Sequence, residues 1–284
     1  MQEKIFIMGE AKEYPKELEK LGKDAPKEIH CVGNIDLLNR PICAIVGTRK
    51  CTRYGKEVAK ELAAKLAENG VIVISGLAEG IDTKAHEGAG AENTIAVLGN
   101  GLGYYSPESN RALQKEIAEK GLLLTEYSFD THAMSYTFVQ RNRIIAALAK
   151  VIVIVEADEK SGALITARHA IELNKTLYAV CGNITSDTSK GTNALIKNGE
   201  AKIMTSYDDI LNEFHIKDSV FIQQQIAPIT DEEKEILDII GGDEVHFDEI
   251  KEKSGLAVHV LASRLTNMEM GGLLKKLAGN LYAK

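Results

Sequence analysis

Four short glycine-bearing segments carry the residue types that can hold an anion. They are GTRK at 47–50, SGLAEGID at 75–82, EADEKSGALITA with Ser161 and Gly162 inside it, and CGNITSDTSKGTN, which reaches Gly191 at the start of a helical segment. Glycine lets the backbone approach a ligand closely, and N–H groups at a helix start favour phosphate. One such segment is an ordinary turn, but four on one rim point to a phosphate-bearing ligand. Basic residues accompany them. Arg49, Lys50 and Arg53 follow the first apolar run and Lys84 the second; Arg141 and Arg143 sit in FVQRNRIIAALA, Arg168 in ITARHA, and Lys175 and Lys197 flank the last loops. A lone lysine or arginine is usually a solvated charge. Gathered on one rim, these would form a groove that tracks a phosphate backbone. Asp82 and His86, four residues apart on one helical face, could serve acid–base chemistry; the alternative is a capping carboxylate and a part-buried histidine. Tyr104, Tyr105, Tyr127 and Tyr136 fall in loops near the rim, whereas Phe138 reads as core with Ile144, Ile145 and Leu148.

Known cofactor signatures are missing. GNGLG at 99–103 is spaced G-x-G-x-G, and no acidic residue ends the second apolar run, which argues against a dinucleotide. Gly55-Lys56-Glu57 lacks the spacing and the hydroxyl of a nucleotide-triphosphate loop. There is no GxSxG elbow, HExxH pair or zinc-deaminase signature. Cys31, Cys43, Cys51 and Cys181 are isolated, with no CxxC, so neither a zinc site nor a disulfide framework is signalled. The expectation is a site without cofactor or metal.

The elements that must position these residues follow from the apolar pattern. ICAIV (42–46), VIVI (71–74), TIAVL (94–98), LLLTEY (122–127), VIVIV (151–155), TLYAV (176–180) and AKIM (201–204) read as strands, separated by helical segments at 54–69, 82–91, 107–119, 137–149, 163–173 and 191–198. Continuous apolar strands are buried on both faces, and strand–helix alternation of this length gives crossovers onto a parallel sheet. The fold class is therefore α/β, a Rossmann-like doubly wound parallel sheet. In such sheets ligands bind outside the carboxyl ends of the strands, where the four loops lie. Asp82 and the pair Ser106-Pro107 read as helix starts.

Residues 1–40 read as an edge extension of one short helix and one strand, 41–214 as the Rossmann-like domain, 215–228 as a linker, and 229–284 as three helices and a terminal hairpin, the order of a winged helix. Thr230 and Glu233 have the capping-box spacing. The chain has 284 residues, 44% hydrophobic and 26% charged, enough for a sizeable core. No apolar run approaches the ~18 residues of a membrane span and the start lacks a signal-peptide pattern, so the expectation is a cytoplasmic protein. The formal charge of −7 argues against binding nucleic acid by bulk attraction. Residues 41–210 hold 19 Lys+Arg and 20 Asp+Glu, so a positive groove requires the fold to segregate charge.

GTRKCTRYG, SGLAEGIDTKAH, TIAVLGNGL with YSPESNRAL, LLLTEY, FVQRNRIIAALA, EADEKSGALITARHA and CGNITSDTSKGTNALIKNGEA, in this order, strongly resemble the DNA-processing protein A family (DprA, also called Smf). The likeness runs almost continuously from residue 14 to about 210, and its most specific parts are RNRII and SGALITA. It implies an extended Rossmann domain that binds single-stranded DNA without cutting it, protects incoming strands and helps load a RecA-type recombinase in natural transformation. It also implies a homodimer formed through the late part of that domain. Three features depart from the family: many members carry a helical N-terminal domain for which the first 40 residues leave no room, Cys181 stands where relatives usually have proline, and Thr125-Glu126-Tyr127 stands, conservatively, where they usually have SEY.

The DNA-binding set is then Gly47, Thr48, Arg49, Lys50, Ser75, Gly76, Lys84, Arg141, Asn142, Arg143, Ser161, Gly162, Thr166, Lys175 and Lys197. Leu195, Ile196, Ile203, Ile210 and Leu211 exceed what one edge strand and helix need for their own cover, and mark the expected dimer interface. Two other classes compete. A Rossmann-type nucleotide phosphoribohydrolase would carry a PGGxGTxxE loop, but the corresponding slot has no Glu three residues after Thr192. A winged-helix transcription regulator would need a basic reading domain, yet residues 229–284 hold 7 Lys+Arg and 11 Asp+Glu.

Overall fold

Each short apolar run between residues 42 and 204 forms a strand, and the segment after it packs a helix on one face or the other. The computed structural model describes residues 4–7, 14–214, 231–241, 244–270, 273–277 and 279–283. They belong to two compact units, Met1–Ile216 and Lys217–Lys284. The first unit runs β1 (Lys4–Ile7), α1 (Lys16–Glu19), β2 (Glu28–Gly33), β3 (Ile42–Val46), α2 (Arg53–Glu68), β4 (Ile72–Ser75), α3 (Ile81–Ala89), β5 (Thr94–Val97), α4 (Arg111–Lys120), β6 (Leu122–Thr125), α5 (Ser135–Leu148), β7 (Val151–Ile154), α6 (Ala163–Glu172), β8 (Thr176–Val180), α7 (Lys190–Lys197), β9 (Lys202–Met204) and α8 (Tyr207–Glu213).

The strands form one sheet in the order β1-β2-β6-β5-β4-β3-β7-β8-β9. The seven strands from β6 to β9 in that order pair in parallel; β2 joins β6, and β1 joins β2, antiparallel. Alternate residues of each strand face opposite cores. Ile42, Ala44 and Val46 of β3 enter a cluster covered by Leu18 of α1, Ile144, Ile145 and Leu148 of α5, Ala163 and Ala167 of α6 and Leu195 of α7. Cys43 and Ile45 enter the opposite one, covered by Val58, Leu62 and Leu66 of α2, Ile81 and Ala85 of α3 and Ile210 of α8. Ile117 of α4 extends this second face over Ala96 and Leu98. Helices on both faces leave the carboxyl ends of the parallel strands as the open rim.

Three local expectations change. The N-terminal extension supplies two strands rather than one, because β1 covers the outer edge of β2. The helix after β5 begins at Arg111, following a 3-10 turn at Glu108–Asn110, so Pro107 precedes the turn instead of opening the helix. Helix α3 begins at Ile81, and the Asp82 carboxylate accepts the N–H groups of Gly76 (3.1 Å) and Ala78 (3.4 Å) across the preceding loop.

The second unit contains α9 (Asp231–Ile240), β10 (Val245–His246), α10 (Phe247–Ser254), α11 (Val258–Met270), β11 (Lys275–Leu277) and β12 (Leu281–Ala283). Its sheet has the order β10-β12-β11, and Ile236, Ile240, Ile250, Leu261, Leu265, Met268 and Tyr282 form its core. Three helices with a terminal hairpin make a winged helix. Thr230 lies outside the described residues. No helix among the described residues is long and apolar enough to cross a membrane.

Candidate functional site

The chain leaves β3 toward β4 on one side of the sheet and leaves β7 toward β8 on the other, so the adjacent ends of β3 and β7 form a topological switch point. A cleft of about 430 Å³ opens there. Its walls are Gly47, Thr48, Arg49 and Lys50 after β3; Ala78 and Asp82 after β4; Asp158, Ser161, Gly162, Ala163 and Thr166 at the start of α6; and Ser135, Phe138, Val139, Arg141, Asn142 and Ile145 on α5.

A buried carboxylate fixes three of the rim loops to one another. Glu156, just past β7, accepts the Thr52 N–H (2.8 Å) and hydroxyl (2.6 Å) and the Thr188 hydroxyl (3.5 Å), while its backbone carbonyl accepts the Thr48 N–H (2.7 Å). The loops after β3, β7 and β8 thus share one anchor. Asn142 Nδ2 donates to the Gly162 carbonyl (3.2 Å), tying the first turn of α6 to α5. Gly80 lies in the left-handed region (φ +85°), and a Cβ there would meet the Thr48 and Arg49 carbonyls at 2.5 Å. Only glycine lets the β4–α3 loop lie this close to the β3 loop.

The charges divide by burial. Arg49 and Lys50 are exposed and make no ion pair among the described residues. The Arg49 guanidinium stands over the Phe138 ring, 5.3 Å from its centroid. Arg141 is 4% exposed; it donates to the Gly76 carbonyl (2.6 Å) and to the Val97 carbonyl, and Asp82 beside it takes the Gly76 N–H. Burial pushes the Arg141 guanidinium down to about 10, opposed by Asp82. Burial also pushes the Asp82 carboxyl up, opposed by Arg141. A Cβ on Gly76 would strike the Arg141 guanidinium, which is why glycine stands there. His86 is wholly buried, with Nδ1 2.7 Å from the Thr94 hydroxyl, and burial pushes it down to about 3. Asp82 and His86 therefore brace the β4 and β5 ends, and an acid–base role for the pair does not fit this geometry.

Of the residues expected from sequence, Gly47, Thr48, Arg49, Lys50, Arg141, Asn142, Ser161, Gly162 and Thr166 line the cleft. The others lie elsewhere. Ser75 is fully buried and its hydroxyl donates to the Ile45 carbonyl (2.7 Å), while Gly76 is occupied on both sides by Arg141 and Asp82. Lys84 pairs with Glu87 on its own helix. Arg143 makes two 2.6 Å bonds to the Glu126 carboxylate and a third to the Asp24 carbonyl (2.7 Å), turned away from the cleft. Lys175 precedes β8, hence lies at the amino end of the sheet, where it donates to the Ala147 carbonyl (2.7 Å) and to Glu17. Lys197 is the last residue of α7, a helix length away from the rim. Conversely, Phe138 lines the cleft instead of the core, and Tyr136 beside it is 58% exposed.

The dimer set also changes. Leu195 and Ile210 are buried in the two cores, and Ile196 and Leu211 pack against them. The edge does cover itself, leaving Ile203 on β9, at 44% exposure.

The cleft presents two unpaired cations, a half-exposed aromatic ring, and the backbone and Ser161 of a helix start. That arrangement can hold phosphate and stack a planar group. Of the two carboxylates that line it, Asp82 holds the loop after β4 and Asp158 accepts the Lys160 N–H (2.8 Å) within its own turn.

Residues 5–215 match the family model for DNA recombination-mediator protein A, and residues 223–280 match that for the DprA winged helix domain. The DNA processing protein DprA of Streptococcus pneumoniae is 40% identical over 203 residues, covering 71% of this chain and 71% of its own. A Mycobacterium tuberculosis relative is 38% identical over 239 residues, which cover 81% of this chain but 61% of the relative. Among solved structures, DNA processing protein A from Helicobacter pylori, described for its single-stranded DNA binding mode, has a TM-score of 0.70 at 35% identity, covering 76% of this chain and 97% of its own.

Proposed function

The chain belongs to the DNA recombination-mediator protein A family, and from that membership we propose that the switch-point cleft holds single-stranded DNA without making or breaking bonds in it. The observation that carries the reading is Arg49, exposed, unpaired among the described residues, and held over Phe138 at the mouth of the cleft. Its guanidinium offers a bidentate fork to a phosphate and a planar face on which a base can stack, while the ring beneath fixes its position. Lys50 and the first turn of α6 extend the phosphate-binding track, and Thr48, Asn142, Gly162 and Thr166 shape its floor. Phosphate contacts carry no base information, so sequence preference is slight and affinity falls as salt rises.

The wider role is that of the family: protection of incoming strands and loading of a RecA-type recombinase in natural transformation, by a homodimer in the cytoplasm. Nothing in the residues encodes the recombinase, and co-purification with it is the direct measurement of that partner. For the cleft, binding of a fluorescent oligonucleotide is measured by anisotropy, with Arg49→Ala expected to cost roughly 1.5 to 3 kcal/mol, the range for hydrogen bonds to charged groups. Unchanged affinity at low salt would remove Arg49 from the site. Incubation with nucleoside monophosphates should release no free base; release would favour the phosphoribohydrolase class.

A further inference from the structure

The helix pair α5–α6 borders a second groove, of about 570 Å³, which the DNA cleft does not include. Lys20, Lys23 and Lys27, on the segment between α1 and β2, face Arg143 of α5 and His169 of α6 across it. It adjoins the cleft along both helices. The cleft takes Arg141, Asn142 and Ile145 from α5 and ends at Thr166 on α6; the groove takes Gln140 and Arg143 from another side of α5 and begins on α6 at His169, three residues on, about 4.5 Å of helix axis. A strand leaving the cleft past the first turn of α6 meets this groove next.

Its charges are sorted as in the cleft. Arg143 neutralises Glu126 through two bonds, His169 Nδ1 lies 3.2 Å from Glu172, and Glu17 holds Lys20 at 2.6 Å. Lys23 and Lys27 remain exposed and make no ion pair among the described residues, just as Arg49 and Lys50 do, and Asp24 between them in sequence is the one lining carboxylate that is likewise exposed and unpaired among the described residues. Four cations of the groove lining meet three carboxylates, and in the cleft three meet two, so each has the same small positive excess. No Phe, Tyr or Trp lines the groove, so it has no ring on which a base could stack.

We propose that this groove is a second leg of the single-strand path, in which Lys23 and Lys27 take backbone phosphates of the nucleotides that leave the cleft. This rests on the reading of the cleft given above. Two lysine contacts without stacking add length-dependent affinity and salt sensitivity but no base preference.

The test compares oligothymidylates of about six and about twenty nucleotides, one within and one beyond the range a single binding module occupies. Anisotropy titrations across a salt series use the full chain, its Arg49→Ala variant and a Lys23→Ala, Lys27→Ala double variant. Both lysines are exposed surface residues, and the double variant should melt as the parent does. It should bind the short strand within about twofold of the parent and the long strand several-fold more weakly, with the log–log salt slope on the long strand shallower by about 1.4, the value for two phosphates on a single strand. Equal loss on both lengths, or an unchanged slope on the long strand, overturns the proposal while the cleft reading stands if Arg49→Ala still weakens the short strand. If the parent binds neither strand, the cleft reading falls and the second leg falls with it.

Discussion

Arg49 and Arg141 border one cleft, and burial separates their work. An exposed guanidinium can meet a phosphate; one that is 4% exposed and already bonded to two carbonyls is part of the scaffold. Arg141→Ala would leave Asp82 without its cation in a buried site, and losing one member of such a pair costs about 3–5 kcal/mol. The expected result is a large drop in the urea midpoint of the chain, and a variant that unfolds at the parental midpoint would show that Arg141 does not brace the rim. His86 yields a pH prediction. Burial holds it neutral in the folded state down to about 3, whereas the unfolded chain protonates it near 6.5. Between those values the unfolded state binds the extra proton, so stability falls as pH falls. From pH 7 to 5.5 this histidine removes roughly 1.2 kcal/mol. Urea unfolding at both pH values, in the parent and in His86→Gln, isolates the term as a difference in slope, and equal slopes would contradict it.

At the scale of elements, most of the sheet was legible and part of the rim was not. Strand β3 runs Ile42–Val46 as the apolar run does, because a strand buried on both faces needs an unbroken run of such side chains. Helix α5 shows where periodicity misleads. Phe138 shares a face with Ile145, but that face is core at Ile144 and Leu148, both core and cleft wall at Ile145, and cleft wall alone at Phe138. Arg141 could not be placed from sequence either, since its partners Gly76 and Val97 lie 65 and 44 residues away. Lys175 and Lys197 neighbour the last loops in sequence, but a residue just before a parallel strand belongs to the end opposite the rim, and α7 carries Lys197 a helix length away from it. The same self-covering that buries Leu195 and Ile210 leaves the outer edge of β9 with no paired strand among the described residues and Ile203 exposed on it. An open apolar edge is a template for pairing. If the homodimer forms here, Ile203→Lys should shift it toward monomer in sedimentation at micromolar concentration, and a parent that is itself monomeric would sink this interface.

For the whole molecule, the question is how binding divides between the two units. The unit Met1–Ile216 has its own two-faced core and contains every residue of both the cleft and the second groove. The unit Lys217–Lys284 is a winged helix whose α11 would be the reading helix. Leu261, Leu265 and Met268 of α11 are buried, and its exposed residues include Val258, His259, Ala262, Ser263, Thr266 and the acidic Glu269. Arg264 is half-buried. A helix that reads base edges normally presents several basic or amide side chains on its open face. The open face of α11 presents small side chains and an acid, and the unit as a whole is acidic, which suits contact with protein better than contact with duplex DNA. Lys275 and Lys276 in the wing are exposed and could add a marginal phosphate contact. A chain ending at residue 216 should therefore keep single-strand affinity within about tenfold of the parent, or ~1.4 kcal/mol. If the shortened chain keeps its fold and loses most of its binding, or if the isolated winged helix holds duplex tightly at physiological salt, the DNA site extends onto the second unit and the regulator class gains support.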